Sequence, residues 1–327
     1  MSDNITNLDN EEIVENAELD NAAVSEQPTE TRGMKAKDMQ QVTTKDKVIK
    51  ITVQVLLYTF LGIMALVVLF PFYFMIISSL KTVPEYQLAV PTLFPQYFDW
   101  HNYIEVFENP DLQLATLFGN TVYVGIVSTL LSLVITVISA FAFARLEFKG
   151  KNALFAALLG TMMIPGELFT ITNYSTVYHF GWMNTYTVLI VPFLVSVFYI
   201  YLLRQNFLQI PNELYLAAKV DGTSDLKYLW KVMIPLALPS LISITILKMM
   251  GAWNSYMWPN LVTKVTNEKN LQLITNGLRN AFTDAAGVTD IPAQMAAVAL
   301  VSLPLFLVFI FLRKYIMKGV SRSGIKG

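Results

Sequence analysis

Residues 117–144 read LFGNTVYVGIVSTLLSLVITVISAFAFA and contain no charged side chain. At about 1.5 Å of rise per residue, a helix of this length exceeds the hydrocarbon core of a bilayer, which is about 30 Å thick. A helix is the expected conformation, because lipid cannot satisfy unpaired backbone amides and the period-2 alternation of a barrel strand is missing. The stretch therefore predicts a transmembrane helix.

Similar apolar segments lie on both sides of this stretch. The chain has 327 residues, of which 54% are hydrophobic and only 14% are charged, with a mean hydropathy of +0.48. A soluble domain carries about a quarter charged residues. The predicted fold class is an all-α polytopic membrane protein with six transmembrane helices, at residues 51–80, 117–144, 153–171, 185–203, 237–258 and 291–312.

The distribution of Lys and Arg predicts the orientation in the membrane. Of 23 such residues, 17 lie beside the spans on one side and four on the other. By the positive-inside rule the richer side is cytoplasmic, so both termini are predicted to be cytoplasmic. Residues 81–116 then form the longest external connection. We expect it either to fold over the outer mouth of the helices or to be a solvated connector.

The N-terminal residues differ in composition from the rest. Residues 1–33 hold nine acidic side chains and one basic one. Such a segment cannot bury enough apolar surface to become ordered, so we predict a disordered acidic cytoplasmic tail at 1–47 and a six-helix domain at 48–327. A cleavable signal peptide is not expected, because no short apolar core follows a basic start.

Several classes of function are excluded. A net charge of −1 argues against a nucleic-acid binder, and the absence of cysteine removes thiol and disulfide chemistry. His101 and His179 lie in different loops, so no metal site is expected. No phosphate-binding loop or hydrolase motif is present. The chain is therefore not expected to be an enzyme, and energy for transport must come from a partner.

A polar connection at residues 208–235 reads as two short helices with a corner. Asn212 is a predicted N-cap, Gly222 a predicted left-handed residue ending the first helix, and Ser224 a predicted N-cap of the second, which Pro235 ends. Leu214, Ala217 and Ala218 fall on one face. So short a pair needs a surface to dock on, either its own helix bundle or another protein.

This connection resembles the EAA loop of permease subunits from binding-protein-dependent ABC importers. The family pattern is Glu-Ala-Ala, three residues, Gly, nine residues, then Ile-x-Leu-Pro. All spacings match in Leu216-Ala217-Ala218, Gly222 and Val232-Met233-Ile234-Pro235, although Leu216 replaces the glutamate. The resemblance implies a coupling helix in a cleft of a cytoplasmic ATPase, and assigns coupling to Glu213, Leu216, Ala217, Ala218, Asp221, Gly222 and Pro235.

The resemblance extends over about residues 51–327. It includes Met163-Ile164-Pro165, Gly181-Trp182-Met183-Asn184-Thr185, Leu203-Arg204-Gln205, Trp253-Asn254, Trp258-Pro259 and the C-terminal 318–327. These features are similar to carbohydrate-uptake permeases, especially the maltose-type second membrane subunit. They imply the type I importer fold in a prokaryotic cell membrane, in contact with lipid. The implied partners are a second homologous permease, two ATP-binding subunits that use ATP, and an extracytoplasmic solute-binding protein.

Lys248 is the charged residue deepest inside a predicted span. It lies about eleven residues from each end of the fifth apolar segment, too deep to reach either interface easily. It either faces a polar translocation cavity or pairs with another helix or the second subunit. Pro165 and Gly166 similarly predict a break in the third span, as a hinge or a bound-water site.

Trp253, Asn254 and Tyr256 lie near the outer end of the same segment. An aromatic face can stack on a sugar ring while an amide binds its hydroxyls, so these residues and Lys248 are predicted to line a substrate path. The alternative is an interfacial aromatic belt, with Asn254 bonded to neighbouring backbone.

The predicted function is that of a permease subunit in an ATP-driven importer of sugars, chiefly oligosaccharides of maltose type, which couples ATPase closure to alternating access. A permease of the same fold for glycerol-phosphate or polyols is the nearest alternative. An ion-coupled transporter would normally have intramembrane carboxylates, and Glu167 is the one candidate.

Overall fold

The structure is a computed structural model that describes residues 44–110, 112–266, 269–282 and 289–321. Most of the predicted tail, residues 1–43, and the C-terminal residues 322–327 lie outside this range, so the disordered tail stays a prediction. The chain divides into two compact units, residues 1–69 and 70–327. The described part of the first unit is helical from Thr44, and its side chains from Val48 onward are exposed.

Helices account for most of the described residues. The α-helices are α1 (Thr44–Ser78), α2 (Val83–Tyr86), α3 (His101–Glu108), α4 (Leu114–Arg145), α5 (Lys151–Thr161), α6 (Thr170–His179), α7 (Tyr186–Ile190), α8 (Val197–Leu208), α9 (Asn212–Val220), α10 (Asp225–Tyr228), α11 (Ile234–Leu236), α12 (Leu238–Trp253), α13 (Met257–Val262), α14 (Ile274–Ala281) and α15 (Ile291–Ser321). Two 3₁₀ segments, Gly166–Phe169 and Val191–Phe193, and one π-helical turn, Leu229–Met233, complete the helical elements.

The predicted spans are of two kinds. The helical ranges Val48–Ser78, Leu114–Arg145 and Ile291–Arg313 are each long and apolar enough to cross a membrane. The predicted spans 153–171 and 185–203 correspond to helix pairs bent by 84° and 45°. The predicted span 237–258 corresponds mainly to α12, which is bent by 80° from residues 225–236 of the predicted loop. Counting each bent pair as one span gives up to six spans. The largest bend follows α5 at Pro165, so the predicted break in the third span is present.

One short antiparallel ladder lies between α13 and α14, and the predicted all-α fold class did not include it. Strand β1 (Val265–Thr266) pairs with β2 (Lys269–Asn270), with Val265 opposite Asn270. The ladder belongs to a connection and not to a span, so it does not change the helical character of the membrane segments.

Helix α4 is the central packing element of the second unit. Helices α8 and α12 pack along it. Its sequence makes this possible, because small side chains recur at every fourth position and all of them are buried: Ser128, Ser132, Thr136, Ala140 and Ala144. Small residues at this spacing let neighbouring membrane helices approach closely. We call these five residues the small-residue row.

Candidate functional site

The loop at 208–235 folds as the two short helices α9 and α10 joined by a corner at Gly222. Gly222 has φ = +70°, the left-handed conformation that the sequence predicted. Its N–H donates to the Lys219 carbonyl at 3.0 Å, and the Thr223 N–H donates to the Ala218 carbonyl at 2.8 Å. Ser224 caps α10, because its hydroxyl accepts from the Lys227 N–H at 3.4 Å. Both capping predictions are confirmed.

One other prediction for this loop is wrong. Pro211, not Asn212, occupies the N-cap of α9, and the Asn212 amide oxygen instead accepts from Arg145 Nη1 at 3.3 Å. The predicted end of the second helix at Pro235 is correct to within one residue, because the helical run continues through the π-helical turn to Leu236 and α12 then leaves it at an angle of 80°.

Arg145 anchors the start of this loop. It lies in the last turn of α4 and is buried, and its Nη2 donates to the Phe207 carbonyl at 2.9 Å and also to the Ile210 carbonyl. The Arg145 guanidinium therefore holds in place the segment that leads from α8 into α9. Sequence reasoning counted Arg145 only as a cytoplasmic charge. Its position could have indicated this role, because Arg145 is the basic residue that directly follows the long uncharged stretch 117–144.

A shared carboxylate joins α9 to α10. Tyr215 Oη and Lys219 Nζ each lie 2.7 Å from Asp225 Oδ1 and donate to it. The hydrogen bond from Lys219, followed by that from Tyr215, holds the pKa of Asp225 below its usual value. The same Asp225 contact raises the pKa of Lys219, whereas burial is the first cause of the raised pKa of Tyr215.

The two faces of α9 have different surroundings. Tyr215 and Ala218 pack against a buried cluster that includes Phe207 and Tyr228. The predicted face of Leu214, Ala217 and Ala218 is therefore split, since Leu214 and Ala217 are exposed whereas Ala218 is half-buried. The exposed face follows i, i+3, i+4, i+7 spacing, and Val220 is 89% exposed. We call this set the α9 outer face, and it consists of Glu213, Leu216, Ala217 and Val220.

Lys248 lines a cavity of about 400 Å³ among α4, α8 and α12. Its Nζ donates to the Phe193 carbonyl and lies 6.0 Å from the ring centroid of Tyr199. Ser128, Ser196, Ser255 and Trp258 are among the other lining residues. The side chain therefore borders the cavity and also binds the backbone of another helical segment.

Trp253, Asn254 and Tyr256 do not meet at this cavity. Trp253 is buried, with its ring edge-to-face on Phe118 at 5.5 Å between centroids. Asn254 is exposed at the C-cap of α12, and the hydroxyl of Tyr256 accepts from Arg279 Nη1 at 2.7 Å. Neighbouring positions on a helix point about 100° apart, so closeness in sequence did not bring these side chains to one surface.

Near the opposite end of α4, the Asn120 side chain makes a second set of hydrogen bonds to distant backbone carbonyls. Asn120 Nδ2 donates to the carbonyls of Asn270 at 2.9 Å and Gln272 at 3.0 Å. Its Oδ1 accepts from the Tyr186 hydroxyl at 2.7 Å, and the Ile274 N–H donates to Thr121 Oγ1 at 2.9 Å. These bonds hold the connection between α13 and α14 against α4. Sequence reasoning missed Asn120 entirely.

The chain matches the family model described as "Binding-protein-dependent transport system inner membrane component" over residues 36–322. The arabinooligosaccharides transport system permease protein AraQ of Halalkalibacterium halodurans is 31% identical over 265 residues, covering 80% of this chain and 93% of that protein. The trehalose/maltose transport system permease protein MalG of Thermococcus litoralis is 29% identical and covers 81% and 94%. The sn-glycerol-3-phosphate transport system permease protein UgpE of Pectobacterium atrosepticum is 27% identical and covers 80% and 93%.

A solved structure has the same fold. It is a crystal structure of a bacterial ABC transporter involved in the import of the acidic polysaccharide alginate. One of its chains aligns with a TM-score of 0.71 at 24% identity, covering 84% of this chain and 98% of that one.

Proposed function

Since the chain belongs to the family of binding-protein-dependent transport system inner membrane components, we propose that it is the permease subunit of an ATP-driven importer of oligosaccharides. The proposed partners are a second homologous permease, two ATPase subunits that bind and use ATP, and a solute-binding protein outside the membrane. The chain itself supplies the path and takes up the force, and the catalytic step belongs to the ATPase subunits.

The observation that carries this proposal is the α9 outer face. It is exposed, it is apolar at three of four positions, and its helix is fixed to α4 through Arg145 and to α10 through Asp225. A helix of this size is not stable alone, so a fixed short helix with a free apolar face suits docking on a partner. Leucine at position 216 gives this face an apolar contact where the family pattern has a charged one.

A pair of glycines tests the coupling role. Gly222 and Gly150 both have positive φ, at +70° and +81°, and a Cβ added at either meets no atom within 4 Å. Gly222→Asp and Gly150→Asp therefore carry a similar backbone cost, but only the first adds charge beside the α9 outer face. We expect Gly222→Asp to abolish ATP-dependent uptake while the subunit still inserts, and Gly150→Asp to retain uptake. Unchanged uptake in Gly222→Asp would contradict the coupling role.

The substrate class rests on the relatives' names. AraQ and MalG are named for arabinooligosaccharides and for trehalose and maltose. UgpE is named for sn-glycerol-3-phosphate, so a glycerol-phosphate permease is the second candidate. A binding assay on the solute-binding protein of this system distinguishes them: we expect an oligosaccharide to bind and glycerol-phosphate not to compete.

Lys248 provides the test of the substrate path. Its ammonium group borders the cavity and could bind sugar oxygens once it leaves the Phe193 carbonyl. We expect Lys248→Met to lower uptake in proteoliposomes, with Lys248→Arg retaining more because the charge remains. If Lys248→Met left both uptake and subunit assembly unchanged, neither the cavity role nor a structural pairing would survive.

The source of energy is tested by purification. We expect an ATPase subunit to purify with this chain, and we expect α9 to move when the ATPase dimer closes, carrying α4 with it through Arg145 to open the cavity alternately. Solute accumulation by the chain alone in liposomes without nucleotide would instead establish an ion-coupled transporter.

A further inference from the structure

Residues 87–98 join α2 to the turn before α3 and present apolar side chains outward. The sequence is QLAVPTLFPQYF, without a charged residue. Val90 and Tyr97 are 78% and 76% exposed. The remaining exposed apolar side chains of this stretch, which we call the 87–98 segment, are Leu88, Leu93, Phe94 and Phe98.

The two charged side chains that precede this segment, Lys81 and Glu85, point into the protein, and Asp99, which follows it, accepts from the His101 N–H at the start of α3 at 3.0 Å. Lys81 is 1% exposed, and its Nζ donates to the Thr92 carbonyl. Glu85 is 6% exposed and accepts from Thr92 Oγ1 at 2.7 Å and from the Gln96 N–H at 3.0 Å. Burial alone would raise the pKa of Glu85, but these hydrogen bonds and the charge of Lys81 outweigh it and leave the pKa below its usual value. Two buried polar side chains with hydrogen-bond partners inside the protein thus lie beneath an apolar surface.

The segment contacts the C-terminal end of α1, a helix long and apolar enough to cross a membrane. The Tyr73 hydroxyl, near the end of α1, donates to the Leu93 carbonyl at 2.6 Å, and the Tyr73 ring meets Phe94 edge-to-face at 6.2 Å. The adjacent Phe72 contacts Phe306 of α15 at 5.8 Å. The segment therefore lies against Tyr73, near the C-terminal end of α1.

We propose that the 87–98 segment is inserted into the lipid leaflet at the Asn120 end of α4, at the boundary between headgroups and acyl chains. Lipid favours a surface whose charges are satisfied internally and whose apolar side chains face outward. Aromatic residues are enriched at this depth. A protein partner is less well matched, because protein interfaces have a polar rim and the segment has no charged side chain to supply one.

The test uses site-directed spin labels, and the chain is suited to it because it contains no cysteine. Val90→Cys, Phe94→Cys and Tyr97→Cys place labels on the segment. Leu130→Cys, exposed in the middle of α4, is the lipid reference, and Lys149→Cys, exposed in the α4–α5 turn, is the water reference. The full-length labelled chains are placed in nanodiscs of phosphatidylethanolamine and phosphatidylglycerol. Collisions with oxygen and with a water-soluble nickel chelate are then measured.

We expect oxygen collisions to exceed chelate collisions at positions 90, 94 and 97, as at the lipid reference. Chelate collisions that dominate, as at the water reference, would overturn the proposal and make the segment a solvated loop. Low collisions with both reagents, with the chain alone or with its partners bound, would overturn it in favour of a protein contact. Positions 90 and 97 are more than three-quarters exposed, so they remain informative if Phe94→Cys folds poorly.

Discussion

Each end of α4 has a side chain that donates hydrogen bonds to two carbonyls of a distant segment, but the two segments differ in what they expose. At one end, the Arg145 guanidinium binds the carbonyls of Phe207 and Ile210, about 60 residues further along the chain. At the other, the Asn120 amide binds the carbonyls of Asn270 and Gln272, about 150 residues away. The Arg145 end supports the exposed α9 outer face, whereas the Asn120 end holds a connection against the helix.

The two sets of hydrogen bonds differ in the charge of the donor and in the segment that they hold. A buried arginine that donates to carbonyls makes charge-assisted hydrogen bonds, which are about twice as strong as those of a neutral amide. A segment that passes force to a partner needs such a rigid attachment. The neutral attachment at Asn120 is weaker and joins segments that are far apart in sequence. The comparison therefore predicts an order of sensitivity to substitution.

Arg145→Met should have the largest effect. It removes a charged donor from two carbonyls, of which that of Phe207 keeps the Ile210 N–H at 3.3 Å, and a buried carbonyl left without a partner costs about 1–3 kcal/mol. We expect uptake to be lost and the 208–235 loop to be cleaved by protease several-fold faster in membranes. Lys149→Met removes an exposed charge from the same side and should leave both measurements unchanged. Wild-type loop protection in Arg145→Met would refute the rigid attachment.

Asn120→Leu should have a smaller effect at the other end. The leucine fills a similar volume but removes the hydrogen bonds that the Asn120 amide makes to two carbonyls and to Tyr186. Water can replace part of this loss, because Asn120 lies near the end of the span. We expect faster hydrogen exchange in residues 269–274, with the α9 region unchanged. Asn260→Leu alters an exposed amide and is the control. If hydrogen exchange became equally faster in residues 269–274 and in the α9 region, the attachments at Asn120 and Arg145 would not be independent.

The pH dependence of the 208–235 loop should be the smallest effect. Because the pKa of Asp225 is lowered by Lys219 and Tyr215, its stabilisation is present above the ordinary carboxyl pKa of about 4 and is lost as pH falls through the lower, folded value. We expect constant protease resistance of the loop from neutral pH to about 5 and a decrease below about 4. Asp225→Asn should show the low resistance at every pH. A decrease between pH 7 and 6 would assign the titration to another group.

Sequence reasoning identified the family correctly, and the apolar segments were visible because lipid imposes length and hydrophobicity on each span. Gly222 and Ser224 were predictable because positive φ and helix capping restrict the residue type at a single position. Arg145 and Asn120 were not predictable, since their partners are backbone carbonyls, which every residue has. The orientation of Trp253 depended on helix register near a helix end, which composition does not determine.

The small-residue row has a mechanical consequence. Its first member, Ser128, lines the cavity that contains Lys248, and its last two, Ala140 and Ala144, belong to the buried cluster beneath α9. One continuous helix thus connects the cavity proposed to hold the substrate with the residues that support α9, the proposed contact of the ATPase. A displacement of the Arg145 end of α4 would therefore reach the cavity through a single helix, with no hinge between them.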